Sequence, residues 1–235
     1  MHVLRHYEND RGLAKRDFDS KNQFNVPKKN SAGALSPDHK TCSCFLIEVK
    51  WSSMALASTL FRFKIELSDM EKGNYQTLDL RVAQHPSETM AYLFTRIFAY
   101  ALSFEEGIEF SPEGLNNPDG PTIRTMNHAR GSSNDIKLWI EIGNPSERKM
   151  HKASKASEKL RIYTYKDPEV LMNEISKHDI FKKNEIEVFA IDPHFLSRLD
   201  LIVKKENRWT LIFNDGILLL NGDHFSEETE IKRIQ

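Results

Sequence analysis

The sequence predicts an α/β fold in which a mixed β-sheet is flanked by helices. Between residues 136 and 199, short apolar runs alternate with helical patterns, which is typical of strands joined by helices. Residues 60–82 contain two runs of alternating apolar and polar residues with a short turn between them, and residues 209–220 contain another such pair. Each pair of runs predicts an antiparallel hairpin. With 39% hydrophobic residues and 14 Phe, the chain can bury the core that such a sheet needs.

The first 53 residues differ in composition from the rest of the chain. They hold nine Lys or Arg and six Asp or Glu, a net charge of +3, whereas the whole chain carries −1. The first forty are rich in Asn, Asp, Ser and Lys without any sustained period, as in disordered segments. Met54 then begins a continuously patterned region. We predict that residues 1–53 are either a disordered extension or a wrongly assigned start of translation, and that 54–235 form one domain.

Composition excludes several classes of function. The net charge of −1 provides no overall attraction to nucleic acid or membrane, so any basic surface must be local. No apolar run approaches the roughly 20 residues of a membrane-spanning helix, and the N-terminus lacks a secretory signal. The two cysteines, Cys42 and Cys44, are at most half of a zinc site and indicate reduced thiols. We therefore predict a cytoplasmic protein without a membrane partner.

The first part of the domain is predicted to be a hairpin followed by a helix. Residues 60–67 and 75–82 alternate around a turn at 69–73. His85-Pro86-Ser87-Glu88 then opens the helix, with Glu88 as a capping acid in its first turn. Tyr92 and Arg96 follow Glu88 on one helix face. A helix-dipole acid with a surface arginine is the alternative explanation of this pattern.

A turn-rich stretch from Phe110 to Asn134 comes next, and a segment of this kind in a compact domain is usually functional or mobile. The remaining elements are predicted in this order: strand 136–142, helix 145–159, strand 160–165, helix 167–177, strand 186–191, helix 193–199, and a hairpin whose strands, 209–213 and 217–220, flank Asn214-Asp215-Gly216.

Strand 136–142 carries an acid near its end. Because side chains alternate along a strand, Glu141 shares a face with Trp139 and Asp135. The apolar residues Leu138, Ile140 and Ile142 point the other way. An acid in a central strand is costly unless it is paired or bound to a cation. A solvent-exposed acid on an edge strand is the alternative.

The helix that follows is strongly basic. Asn144 and Pro145 are predicted to begin it. Arg148, Lys152 and Lys155 fall at i, i+4 and i+7 on one face, and Lys149 adds a charge on the adjoining row. Basic residues beside a carboxylate suit phosphate chemistry, whereas a simply solvated basic face is the alternative.

Several motifs, in this order, resemble the YaeQ protein family. They are His85-Pro86-Ser87-Glu88-Thr89, Trp139-Ile140-Glu141-Ile142-Gly143-x-Pro145, Glu147-Arg148, Lys152-Ala153 and Tyr163-Thr164-Tyr165. The resemblance extends from about Met54 to about residue 225, and the segment before Met54 lies outside it.

The resemblance implies a PD-(D/E)XK nuclease-like fold and Mg²⁺-dependent hydrolysis of phosphodiesters in DNA or RNA. That superfamily binds the metal with an acid on a helix, the Asp of a Pro-Asp step and the acid of a Glu-x-Lys step. The counterparts here are Glu88, Asp119 and Glu141, and Asp135 is an alternative to Asp119. Gly143 stands where the lysine is expected, so the resemblance implies that Lys152 reaches back to replace it.

Two functions are therefore open. In the first, Glu88, Asp119, Glu141 and Lys152 are catalytic, and the three acids hold Mg²⁺. The phosphate ligands in this hypothesis are Arg96, Arg148, Lys149 and Lys155. In the second, the chain is a catalytically inactive module of the same fold that binds nucleic acid or a protein partner through its basic helix.

Overall fold

Ten strands join in one mixed sheet in the computed structural model, which describes residues 58–127 and 135–235. The strands are β1 (Thr59–Asp69), β2 (Asn74–Gln84), β3 (Ile108–Phe110), β4 (Ile123–Met126), β5 (Ile136–Ile142), β6 (Ser157–Thr164), β7 (Glu187–Ile191), β8 (Glu206–Asn214), β9 (Ile217–Asn221) and β10 (Ser226–Arg233). The helices are α1 (Met90–Leu102), α2 (Glu147–Ala156), α3 (Pro168–Lys177) and α4 (Pro193–Asp200). The strand order is β2-β1-β8-β9-β10-β7-β6-β5-β4-β3.

Parallel and antiparallel pairs both occur, as predicted. Strands β5, β6 and β7 are parallel neighbours, and β1 is parallel to β8. The other neighbouring pairs are antiparallel, including the predicted β1–β2 and β8–β9 hairpins. Parallel neighbours require crossover connections, and α2 and α3 provide them between β5, β6 and β7.

Each face of the β5–β7 block has its own hydrophobic core. On one face, Trp139 packs with Met150 and Ala153 of α2 and with Leu171 and Ile175 of α3. On the other face, Leu138, Ile140 and Ile142 of β5 belong to one core with residues of α1 and α4. The predicted division of β5 is confirmed, because Leu138, Ile140 and Ile142 belong to the second core and Trp139 to the first. Glu141 therefore projects towards α2.

Helix α1 begins later than predicted. Residues 85–88 form a turn instead, closed by a hydrogen bond from the Glu88 N–H to the His85 carbonyl (2.8 Å). The Glu88 carboxylate accepts a hydrogen bond from the His85 N–H (3.0 Å) and so stabilises this turn. Thr89 caps the helix, since its hydroxyl accepts a hydrogen bond from the Tyr92 N–H (3.2 Å).

Helix α2 also begins later, and the prediction that Asn144 caps it is wrong. Ser146 is the N-cap, with its hydroxyl accepting from the Lys149 N–H (3.4 Å). The Asn144 side chain is used elsewhere: it accepts a hydrogen bond from the Thr164 hydroxyl (2.6 Å) and donates one to the Asp167 carbonyl (3.2 Å). The chain needs two more residues to turn out of β5 before the helix starts.

The turn-rich stretch contains more structure than the sequence indicated. Strand β3 ends at its first residue, and a short 3₁₀ turn at Gly114–Asn116 and strand β4 lie within it; none of these was predicted, nor was β10. Strands β3 and β4 have only three and four residues, too few for a clear alternation, and β10 buries only Thr229 and Ile231.

Several predictions concern residues outside the described ranges. These are the disordered or untranslated extension over 1–53, the start at Met54, the thiols of Cys42 and Cys44, and part of the irregular stretch, residues 128–134. They stay predictions. Among the described residues, no helix is both long enough and apolar enough to cross a membrane.

The β8–β9 turn yields a test of the fold. Asp215 and Gly216 both have positive φ, 50° and 75°, as a type I′ hairpin turn requires. We expect Gly216→Ala to lower the free energy of unfolding by about 1 kcal/mol. Asn tolerates this conformation, so Gly216→Asn should cost less. Urea titration of both variants checks this, and equal losses would contradict the assigned turn.

Candidate functional site

The site is built around the buried carboxylate of Glu141, which is 2% exposed. Trp139 Nε1 donates a hydrogen bond to Oε1 (2.6 Å), and the Thr122 hydroxyl donates one to Oε2 (3.2 Å). Lys149 Nζ lies 2.8 Å from Oε2. Burial raises the pKa of Glu141, and the Lys149 cation and the hydrogen-bond donors oppose that rise. Both oxygens are therefore engaged by protein groups.

Lys149, not Lys152, provides the cation beside Glu141. Gly143, where a lysine was expected, has φ +79° because the chain turns sharply out of β5. A side chain there would have room but would strain the backbone by about 1–2 kcal/mol. Lys152 instead lies 3.8 Å from Asp119, and the two side chains are 51% and 60% exposed.

A chain of hydroxyl groups connects Glu141 to α1. The Tyr92 hydroxyl is 3.2 Å from the Thr122 hydroxyl, which in turn donates to Glu141. Burial raises the pKa of Tyr92 to about 12, and the negative charges of Glu141 and Glu88 contribute to the increase. Tyr92 is therefore protonated at neutral pH and can serve as a hydrogen-bond donor.

Glu88 belongs to a separate buried ion pair. Arg96 Nη2 lies 3.0 Å from its Oε1 and donates to its Oε2 at 3.1 Å. Arg96 also donates to the Ala83 carbonyl (3.2 Å), and its Cζ lies 5.5 Å from the centre of the Phe110 ring. Burial raises the pKa of Glu88 and lowers that of Arg96. At 7% exposure, Arg96 joins α1 to β2 and does not lie on the surface as a phosphate ligand would.

The predicted metal ligands do not fit Mg²⁺ in this arrangement. Among residues 58–127 and 135–235, no three His, Cys, Asp or Glu side chains are grouped as a metal site. Mg²⁺ binds through carboxylate and water oxygens, whereas Glu88 and Glu141 are paired with cations and Asp119 is exposed. Asp135 precedes the first residue of β5, roughly 20 Å along the strand from Glu141.

The basic face of α2 is on the surface beside this site. Arg148, Lys152 and Lys155 are all exposed. In the part of the chain that the structure describes, Lys152 is the only one of the three with an ion pair, the long contact to Asp119. Sequence reasoning missed Thr122 and the Trp139 N–H as partners of Glu141. Thr122 gave no signal, since it precedes a strand that was not predicted.

The model of the YaeQ protein family matches residues 54–231. The chain belongs to the YaeQ family. The uncharacterized protein YaeQ of Escherichia coli (strain K12) is 24% identical over 179 residues, which are 76% of this chain and 96% of that protein. The uncharacterized protein YaeQ of Salmonella typhi is 30% identical over 112 residues, 48% of this chain and 59% of that protein.

Solved structures of YaeQ proteins share the fold. The crystal structure of YaeQ from Xanthomonas axonopodis pv. citri has a TM-score of 0.69 and 28% identity, covering 76% of this chain and 98% of that one. The structure from Pseudomonas syringae has a TM-score of 0.68 and 23% identity, covering 76% and 96%. The predicted YaeQ family is thus confirmed, and the nuclease-like superfamily stays a prediction.

The ion pair between Glu141 and Lys149 can be tested by comparing the stability of two lysine variants of α2. Lys149→Met leaves the Glu141 carboxylate without its cation, and we expect a loss of about 2–3 kcal/mol in the free energy of unfolding. Lys152→Met removes only an exposed contact and should cost less than about 0.5 kcal/mol. Chemical denaturation measures both, and similar losses would contradict the assigned partner of Glu141.

The loss in Lys149→Met should depend on pH. Burial already raises the pKa of Glu141 in the folded wild type, and removing the cation raises it further. The folded variant then binds more protons than the folded wild type above the ordinary pKa of Glu, so its stability falls more steeply as pH rises. The deficit should be smallest near about pH 4, where Glu carboxyls are largely protonated, and grow towards neutrality. A pH-independent deficit would contradict this account.

Proposed function

We propose that this YaeQ family chain is a PD-(D/E)XK nuclease-like module that binds the phosphodiester backbone of nucleic acid without cutting it. The supporting observation is that both oxygens of Glu141 are engaged, one of them by Lys149, while three other cations of α2 point outwards. The site thus neutralises its own acid and retains exposed positive charge for a phosphate ligand. The proposed setting is the cytoplasm.

The size of the basic face limits what it can contact. Arg148 and Lys155 are seven residues apart, about 10 Å along a helix. Successive phosphates of one strand are separated by about 3.4 Å along a duplex, so the face spans a few neighbouring phosphates. Contacts of this kind position a nucleic acid but carry no sequence information. We therefore propose binding without sequence preference.

A Mg²⁺-dependent nuclease is the second candidate. It is favoured by the contact between Glu141 and Lys149, because an acid and a lysine side by side at a strand end are what the superfamily resemblance implies. Glu88, Asp119 and Glu141 stay the predicted metal ligands of this candidate, with Lys152 as its predicted catalytic lysine. It requires rearrangement of the ion pairs that Glu88 and Glu141 make in this structure.

Charge reversal on α2 tests the first candidate. We expect the triple variant Arg148→Glu, Lys152→Glu, Lys155→Glu to abolish most binding to a fluorescent oligonucleotide. In double-stranded DNA, the slope of log K against log salt should become shallower by about 2 to 3 in magnitude, since up to three phosphate contacts are removed. Fluorescence anisotropy at several salt concentrations measures both quantities.

The matched control reverses three exposed lysines away from α2: Lys64→Glu, Lys205→Glu, Lys232→Glu. It changes the net charge of the chain by the same amount, and because these lysines lie away from α2 it should retain the wild-type salt slope. If both triple variants lose binding equally, overall charge and not α2 is responsible. Unchanged binding in the α2 variant would rule out this surface, and an acidic protein partner would then be the next ligand to test.

Divalent metal separates the two candidates. We expect the wild-type protein to bind DNA and RNA in EDTA without any requirement for Mg²⁺, which as a competing counterion should only weaken binding. A broad panel of both should stay uncut with Mg²⁺ or Mn²⁺. Gel analysis of the products and Mg²⁺ calorimetry check this. Metal-dependent cleavage that Glu141→Gln abolishes would reject the non-cutting module and support the nuclease.

A further inference from the structure

A cavity of about 540 Å³ opens on the α1 face of the sheet, the face opposite Glu141. It lies where the end of α1 meets the beginnings of β5 and β6. Its volume is within the range of small-molecule sites. The residues that line it are Lys72, Ser103, Phe104, Glu105, Lys137, Leu138, Glu158, Lys159 and Arg161.

The hydroxyl groups of Ser103 and Tyr163 form a buried pair at the cavity wall. Together they carry two hydrogens, and the described residues provide an acceptor for only one of them. Ser103, which is 5% exposed, accepts a hydrogen bond from Arg161 Nη1 (3.0 Å) and shares one with the fully buried Tyr163 hydroxyl (3.0 Å). Either Ser103 or Tyr163 can donate within the pair, but one O–H then lacks an acceptor among the described residues. A buried donor without an acceptor is costly.

The surplus hydrogen belongs on Ser103. Tyr163 is enclosed by protein, and burial raises the pKa of its hydroxyl, so this group keeps its proton and needs Ser103 as its acceptor. Ser103 lines the cavity, whereas Tyr163 does not. The Ser103 O–H can therefore be directed into the cavity, where it can donate a hydrogen bond to an oxygen of a ligand.

One cation of the lining can contact an anionic ligand. The lining has four cations and two acids, and one of the acids, Glu158, accepts a hydrogen bond from Asn127 Nδ2 (2.8 Å). Lys137 is paired with Glu105 (2.6 Å), and Lys72 and Arg161 are paired with Asp69 (3.2 Å) and Glu187 (2.6 Å), which lie behind the wall.

Lys159 is exposed and makes no ion pair within the described residues, although its field helps to lower the pKa of Glu187. Its ammonium group is thus available to a ligand. Phe104 and the buried Leu138 provide an apolar wall next to these polar groups. The cavity accordingly combines one neutral donor, one available cation and a hydrophobic surface.

We propose that this cavity binds a small oxyanion that carries an apolar group. The oxyanion accepts hydrogen bonds from the Ser103 hydroxyl and from Lys159, and the apolar group lies against Phe104 and Leu138. This site does not rest on the proposed nucleic-acid function, because β5 and β6 separate it from Glu141 and α2.

Titration of the full chain with phenyl phosphate tests the proposal. Amide NMR shifts should appear at Ser103, Phe104 and Leu138. Inorganic phosphate lacks the apolar group and benzyl alcohol lacks the charge, so each should bind about tenfold more weakly than phenyl phosphate. Benzoate, as a carboxylate probe, distinguishes the two kinds of oxyanion. Failure of all four probes to shift these amides would overturn the proposal.

Two variants and one control assign the residues. Ser103→Ala and Lys159→Gln should each weaken phenyl phosphate binding about tenfold, as expected for hydrogen bonds to a charged group. Ser103→Ala also removes the partner of Tyr163 and can destabilise the fold, whereas Lys159 is exposed, so its variant decides the question. Lys205→Gln, an exposed position outside both α2 and the cavity lining, should leave phenyl phosphate binding unchanged. Equal losses in Lys205→Gln and Lys159→Gln would reject the cavity as the binding site.

Discussion

The carboxylate of Glu141 is buried at the end of a central strand, so neighbouring groups must balance its negative charge. Lys149 provides the balancing positive charge. At 100° per residue, positions 148, 152 and 155 lie within about 60° of one another, roughly opposite Met150 and Ala153, which pack against the sheet. The burial of Met150 and Ala153 therefore exposes the basic face, and Lys149 reaches Glu141 from the side of α2 between these two faces. Thr122 donates a hydrogen bond to Glu141 and also contacts the Tyr92 hydroxyl, so Glu141 is connected to α1 as well.

The conformation of Gly143 explains why the lysine comes from α2. A residue two positions after Glu141 would normally continue the strand and share its face. With φ +79°, the backbone at Gly143 has already left the strand, and a lysine there would be strained and redirected. Lys149 supplies the charge from the first turns of α2. The departure from the Glu-x-Lys pattern is therefore coupled to the geometry of the turn, and the ion pair is retained.

Local patterns predicted seven of the ten strands and the division of β5 between two cores, because alternation and helical spacing directly determine which side chains are buried. The same patterns could not identify the partners of Glu141. Lys149 and Lys152 are less than one helical turn apart, so predicting which of them contacts Glu141 requires knowing where α2 begins. Ser146, and not Asn144, is its N-cap. Thr122 directly precedes strand β4, whose four residues are too few to give a clear alternation. Arg96 appeared to be a surface cation because spacing on one helix cannot reveal that β2 and Phe110 cover it.

The sheet itself keeps the two proposed ligands apart. Neighbouring residues of β5 alternate between faces, so Glu141 is directed towards α2, whereas Leu138 lines the cavity at the end of α1. On β6, Arg161 and Tyr163 lie on the cavity side, and Ile162 between them packs under α2. A substitution on one face can therefore leave the other site intact. Because a single strand pair supports both sites, any coupling between them would have to pass through β5 and β6, where the packed side chains leave little freedom to move.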